Sequence, residues 1–242
     1  MQKQKKINKQ GINGMIGLEI HVYLVTREKL FCTCKAVREK GAKPNSFICP
    51  ICTGMPGAKP MLPNKTAVEK AVQVALMLNC KINEKLVWKR KHYNWPDLPK
   101  GYQNTLSGAK AFPVGEKGNF HGIRIKEIHL EEDPASWEPA TGKVDYNRSG
   151  FPLIEIVTEP DFSTAEETKE WLKKLQHNLE YLKAVAADSG IKADVNVNIQ
   201  GKTERVEIKN VNSIENVARA IEFELERQAE EGSVRETRRF DE

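Results

Sequence analysis

Gly17-Leu18-Glu19-Ile20-His21 sets a carboxylate and an imidazole two residues apart. In an extended strand both leave one face, while Leu18 and Ile20 leave the other. Such a pair is able to hold a metal ion or move a proton, and it equally fits two solvated side chains on a half-buried strand. The pattern recurs along the chain. Glu127, His129 and Glu131 alternate with Ile128 and Leu130; Asp194, Asn196 and Asn198 alternate with Val195, Val197 and Ile199; Arg205, Glu207 and Lys209 alternate with Val206 and Ile208. If these strands lie in one sheet, their polar sides merge into a bed of carboxylates and cations. Magnesium takes oxygen ligands, commonly one or two carboxylates together with phosphate oxygens, so this bed suits phosphoryl transfer. Neither a G-x-x-x-x-G-K-[ST] nor a G-x-G-x-x-G loop offers another phosphate cradle.

A second chemistry lies in the cysteines. Cys32-Thr33-Cys34 and Cys49-Pro50-Ile51-Cys52 form a CxC and a CxxC pair, separated by a Lys-, Gly- and Pro-containing loop at 35–48. With no secretory signal in view, this spacing points to zinc rather than to disulfides. Two short steps that each supply two thiolates satisfy a tetrahedral ion at about 2.3 Å, and four cysteines leave no open position, which makes the site structural. Cys80 stands alone after a helical run and reads as a small core residue.

The elements that must position these residues are legible in outline. Helices are expected over about 64–78 with a Val68, Val72, Ala75, Leu76 stripe, after a capping box at Ser163-Thr164-Ala165-Glu166 with Leu172, Leu175, Leu179 and Leu182 on one face, and after Ser213 with Ile214, Val217, Ala218, Ile221 and Leu225. Strands are expected over 15–24, 122–131, 151–158, 194–200 and 204–211, the last two joined through Gln200-Gly201-Lys202-Thr203. Strands and helices do not alternate regularly, so the expected class is α+β with a mostly antiparallel sheet flanked by helices. The 242 residues, 39% hydrophobic and 29% charged, support a real core and one or two domains. The net charge of +5 favours a polyanionic partner. No apolar run is long enough for a membrane span, and the basic start "MQKQKKINKQGING" has no apolar signal core behind it, so a flexible arm over 1–16 and a cytoplasmic location are expected.

GLEIHVYL, the paired cysteines, KHYNWPDLPKGYQ (91–103), IHLEEDP (128–134), DYNRSG (145–150), PLIEIVTEPD (152–161), DVNVN (194–198), VEIKNVNS (206–213) and ETRRFDE (236–242) occur in this order. In that order they resemble the B subunits of aspartyl/glutamyl-tRNA amidotransferases, over nearly everything from Gly17 to Glu242. The resemblance implies a cradle domain over 17–242, similar to the glutamine synthetase and guanido kinase fold, with a zinc knuckle at 32–52. It implies that ATP and magnesium convert the side-chain carboxylate of Glu-tRNA(Gln) or Asp-tRNA(Asn) into an acyl phosphate, which ammonia from a glutaminase then displaces. The implied partners are an amidase A subunit, a small C subunit and the mischarged tRNA.

By motif, the resemblance assigns magnesium to Glu19, His21, Glu131 and Asp194; strand phase prefers Glu131 to Glu132, because Glu131 shares a face with His129. Arg148, Lys209 and Asn210 become candidates to hold phosphate or the aminoacyl end, and Cys32, Cys34, Cys49 and Cys52 the zinc ligands. Two departures stand out. Gly190-Ile191-Lys192-Ala193 replaces the usual Ser-Leu-Arg-Cys, and lysine offers no bidentate fork. The family's helical and tail domains, which follow RRFDE, are expected to be absent. Two other readings fit the same residues: the archaeal E subunit, which shares the cradle, and a non-catalytic zinc-bearing tRNA-binding module.

Overall fold

The computed structural model describes residues 12–36, 41–185 and 189–240. In chain order the elements are β1 (Gly14–Tyr23), α1 (Lys65–Met77), β2 (Lys81–Ile82), β3 (Lys89–His92), β4 (Tyr102–Thr105), β5 (Gly115–Phe120), β6 (Ile123–Glu132), β7 (Ser136–Trp137), β8 (Val144–Asp145), β9 (Pro152–Thr158), α2 (Ala165–Tyr181), β10 (Lys192–Ile199), β11 (Val206–Asn212), α3 (Ile214–Glu231) and β12 (Glu236–Arg239). Ten strands form one sheet in the order β12-β11-β10-β1-β9-β6-β4-β3, with β5 also paired to β6 and β2 to β5; β7 and β8 pair separately. Among the described residues only the β11–β12 pair is parallel. This is the α+β class with a mostly antiparallel sheet.

The alternation decides which side is covered. Ile16, Leu18, Ile20 and Val22 of β1, Ile128 and Leu130 of β6, Ile154 and Ile156 of β9, and Val195 and Val197 of β10 are all buried on one side. Burying those side chains contributes roughly 1.5–3 kcal/mol each, which makes that side the core. There α3 packs on β10 and β11, α2 on α3, and α1 on β2, β5 and β6. The opposite side carries the polar residues, and a one-residue slip would exchange the two.

Three expectations shift. The sheet starts at Gly14, whose N–H reaches the Ser163 carbonyl at 3.2 Å, so residues 14–16 belong to β1 rather than to the arm expected at 1–16; residues 1–11 lie outside the described ones. Helix α2 is capped by Thr164, which accepts from the Glu167 N–H, while Glu167 returns to the Ser163 N–H at 2.9 Å; the box sits one residue later than Ser163 and Glu166 imply. In α1 the buried seam is Ala67, Ala71, Val74 and Ala75, Val68 and Val72 are partly covered, and Leu76 is exposed. Small residues carry this seam because the helix lies close to β5: a Cβ on Gly115 would meet the Cys80 Cβ at 2.9 Å and the Ala75 Cβ at 3.1 Å. Cys80 is buried in this contact, as expected of a core residue.

Candidate functional site

Strand register builds the polar face residue by residue. β1 lies at the centre with β10 on one side and β9 on the other. Glu19 stands opposite Asp194 of β10, and His21 opposite Glu155 of β9. Glu155 in turn faces His129 of β6, and Glu131 faces Thr105 of β4. The result is two acidic groups. His21, Glu131 and Glu155 place ligand atoms within 4.8 Å of one another, and so do Glu19, Asp194 and Glu207. The four residues expected at one magnesium ion therefore divide between two neighbouring groups, because alternate residues of a central strand meet different neighbours.

Burial, and then charge repulsion, mark both groups. Burial, then Glu155, push the Glu131 carboxyl up to about 7. Burial also raises Glu19, followed by Glu155, Asp194 and Glu207, so Glu155 links the two groups electrostatically. Below Glu155 lies His129, 1% exposed, whose Nδ1 is 2.9 Å from the Leu106 carbonyl and whose Nε2 is 3.3 Å from Glu127. Burial lowers its basicity, but Glu127 and Glu155 outweigh that and raise it.

A β-bulge shapes the second group. The β10–β11 register slips between Ala193 and Val195, so Lys209 and Asn210 both oppose Asp194. Asn210 takes a positive φ of 59°, which aims its backbone N–H at Asp194 Oδ1, 2.7 Å away. The Lys209 ammonium lies 3.1 Å from Glu207 and 3.3 Å from Asp194. Nearby, the Asn196 side-chain oxygen is buried without a hydrogen-bond partner, while its amide reaches Glu19 at 3.4 Å. Three carboxylates with a spare amide oxygen form an all-oxygen donor set, which fits a hard divalent ion such as magnesium. The group with His21 adds nitrogen and is the less typical magnesium site.

Glu132 and Arg148 are engaged elsewhere. Glu132 accepts from the Lys100 ammonium at 2.6 Å and from the Asn104 backbone and side chain at 3.0 and 2.9 Å. Both Lys100 and Glu132 are almost fully buried. Removing one partner strands a buried charge, so Glu132→Ala lowers stability by about 3–5 kcal/mol in chemical denaturation. Arg148 pairs with Asp133 at 2.9 Å and donates to the Pro134 and Ala135 carbonyls at 3.1 and 2.8 Å. Asp133 also accepts from the Tyr23 hydroxyl at 2.7 Å. Of the three phosphate candidates, Lys209 and Asn210 border an acidic group and Arg148 braces the segment beside it.

A separate centre forms where Cys32, Cys34, Cys49 and Cys52 place their sulfurs within 4.8 Å of one another. The Cys49 N–H reaches Cys52 Sγ at 3.2 Å, and the turn after Cys52 requires Gly54, where a Cβ would sit 2.4 Å from the Pro99 carbonyl oxygen. The Cys32 thiol draws Cys52 down to about 4, with Cys49 and Lys29 assisting against burial, while burial pushes Cys34 up to about 12. Four converging sulfurs, with Cys52 lowered by its neighbours, suit a thiophilic divalent ion such as zinc. In the expected loop at 35–48, residues 37–40 lie outside the described ones.

The family model described as "GatB/GatE catalytic domain" matches residues 14–242. The chain belongs to that family. The B subunit of aspartyl/glutamyl-tRNA(Asn/Gln) amidotransferase from Methanopyrus kandleri is 53% identical over 215 residues, which is 88% of this chain and 45% of that protein. The proteins of the same name from Methanothermobacter thermautotrophicus and Methanocaldococcus jannaschii are 51% and 49% identical over 88% and 91% of this chain, and 46% and 47% of their own lengths. The chain thus spans about half the length of the curated relatives it matches. Within this GatB/GatE domain, sequence reasoning passed over Glu155 and Glu207 as candidate ligands. Glu207 was visible as the carboxylate of an alternating strand. Glu155 had one signal, a lone charge inside the apolar run Leu153-Ile154-Glu155-Ile156-Val157. Among the described residues no helix is long and apolar enough to cross a membrane.

Proposed function

We propose that this chain is the carboxylate-activating part of the B subunit of a tRNA-dependent amidotransferase, a ligase that forms a carbon–nitrogen bond with glutamine as amido donor. The observation that carries this reading is the pair of acidic groups on the open sheet face of a GatB/GatE catalytic domain. A carboxylate is a poor electrophile for ammonia, because displacement would expel oxide. Transfer of the ATP γ-phosphoryl group to the side chain of Glu-tRNA(Gln) or Asp-tRNA(Asn) gives an acyl phosphate and ADP; ammonia attack then gives the amide and releases phosphate. The cradle would extend over 17–242, with an amidase A subunit and a small C subunit supplying ammonia and completing the complex.

Glu19, Asp194 and Glu207, with Asn196 beside them, would hold magnesium with the nucleotide; His21, Glu131 and Glu155 would hold a second ion near the carboxylate to be activated. Magnesium, when bound, neutralises phosphate oxygens and steadies the charge that shifts during transfer. Lys209, now paired with Asp194 and Glu207, would turn to phosphate, the Asn210 backbone keeps Asp194 oriented, and Arg148 holds the Asp133 segment against β1. Cys32, Cys34, Cys49 and Cys52 would hold zinc, which would supply a structural cross-link. The name shared by the relatives favours the B over the E reading of this family.

The full-length protein, assembled with A and C subunits and given Glu-tRNA(Gln), ATP, magnesium and glutamine, is expected to form Gln-tRNA(Gln). Asp194→Ala reduces the rate by at least about tenfold. Absence of product, or equal rates from both proteins, sinks the proposal.

A further inference from the structure

Lys29 is among the largest side chains sealed in the interior, 1% exposed. Among the described residues no carboxylate lies within ion-pairing distance of it. Its ammonium donates to the Phe47 carbonyl at 2.9 Å and the Tyr146 carbonyl at 3.2 Å, and lies 3.5 Å from Cys52 Sγ. The Phe151 ring centroid is 5.8 Å away. Burying an ammonium away from any anion is costly, and among the described residues sulfur is the one anion-forming group in contact with it. Four thiolates around a divalent ion leave a double negative charge in a partly buried place. One side supplies excess negative charge, the other an otherwise unmatched cation.

We propose that Lys29 is the counter-cation of the four-cysteine centre, and that through it metal occupancy fixes the 145–150 segment bracing the acidic face. This rests on the metal reading of the cysteines and not on the amidotransferase reaction. The same loop is tied to the centre twice more: the Ser149 hydroxyl donates to the Cys52 carbonyl at 2.7 Å, and the Leu30 N–H to the Gly150 carbonyl at 2.8 Å. Gly150, with a φ of 85°, leaves only 3.6 Å between its missing Cβ and Lys29 Cδ, so the backbone lies against the lysine stem. From this loop Arg148 reaches Asp133, and Asp133 reaches Tyr23 on β1, two residues from His21. With the metal gone, the four sulfurs are no longer held to one point, so the Cys52 turn that anchors the Lys29 ammonium and the Ser149 hydroxyl is released, and the carbonyl of Tyr146 loses a fixed donor.

The test uses the full-length protein, with zinc per chain measured by mass spectrometry, release into excess chelator followed by absorbance, and hydrogen exchange read at 145–150. Lys29→Met preserves length and removes charge; it is expected to release zinc at least tenfold faster and to lose protection at 145–150. Replacing a thiolate by a neutral imidazole removes one negative charge from the site, so adding Cys34→His to Lys29→Met is expected to slow release again. Simple packing by Lys29 would instead make the two losses add. Stripping zinc from the wild type is expected to deprotect 145–150, and this measurement stands even if Lys29→Met fails to fold. Wild-type protein that carries no zinc overturns the metal reading itself. Zinc retained in Lys29→Met at the wild-type rate, additive loss in the double variant, or unchanged exchange after stripping overturns the role of Lys29.

Discussion

Glu155→Gln is expected to lower the amidation rate of the assembled enzyme by about 10²–10³, with melting temperature close to wild type. The position explains the size of the effect. Glu155 lies opposite both His21 and His129 in register, its carboxylate 3.8 Å from His21 Nε2. It completes one acidic group and raises Glu19 in the other, so its charge is felt by both. Glutamine keeps the shape, but removes the negative charge and one of two acceptor oxygens, turning a ligand into a partial donor. On the proposed reaction the loss would therefore fall on charge stabilisation during phosphoryl transfer, not on packing. Steady-state rates over a magnesium titration check this: the variant should need more magnesium and still not reach the wild-type plateau. A wild-type plateau at saturating magnesium would remove Glu155 from the site.

Why Glu155 escaped a reading that found Glu19 and His21 is a matter of neighbours. Period-two alternation is a property of one strand, and it served for β1, β6, β10 and β11, whose apolar sides lie under the helices. It also separated Glu131, on the open face, from Glu132, which pairs with buried Lys100. In β9 the residues that flank Glu155 on its own face, Leu153 and Val157, are apolar, so the strand reads as buried on both sides. Register is the missing information. Only the pairing of β1 with β9 on one side and β10 on the other shows that His21 and Glu19 serve different groups. The edges were harder still. Lys89-Arg90-Lys91-His92 forms β3 with no apolar residue and every side chain exposed, held by backbone bonds to β4. β5 contains Gly115 and Gly118, where close approach to Cys80, rather than side-chain pattern, sets the strand. The bulge at Lys209 and Asn210 leaves no pattern at all, since it is a count of residues opposite Asp194.

Magnesium is expected to raise the melting temperature more at pH 8 than at pH 6, and Glu131→Gln to abolish most of that difference. Glu131 has a carboxyl at about 7 in the folded protein, above the ordinary value of 4.5, because of burial and then Glu155. A raised carboxyl stabilises the folded state while both states are protonated, and that contribution is lost as pH climbs through 7. The full span of such a shift is about 3 kcal/mol. His129, also raised, loses stability in the same direction, whereas Glu127 is lowered and acts only at more acidic pH. Between pH 6 and 8 the metal-free protein should therefore weaken. A divalent ion at His21, Glu131 and Glu155 binds the ionised form and must displace a proton at the lower pH, so its affinity grows as pH rises. Stabilisation follows affinity through mass action. Glu131→Gln removes the titrating group: without metal it should be more stable than wild type at pH 8, little changed at pH 5, and nearly flat in its response to magnesium across the range. His129 and Glu19, both raised, remain in the variant, so any slope that survives measures their combined share. Thermal melts at three pH values, with and without magnesium, decide the matter; a magnesium shift in Glu131→Gln that still grows with pH as in the wild type would place the proton on another group.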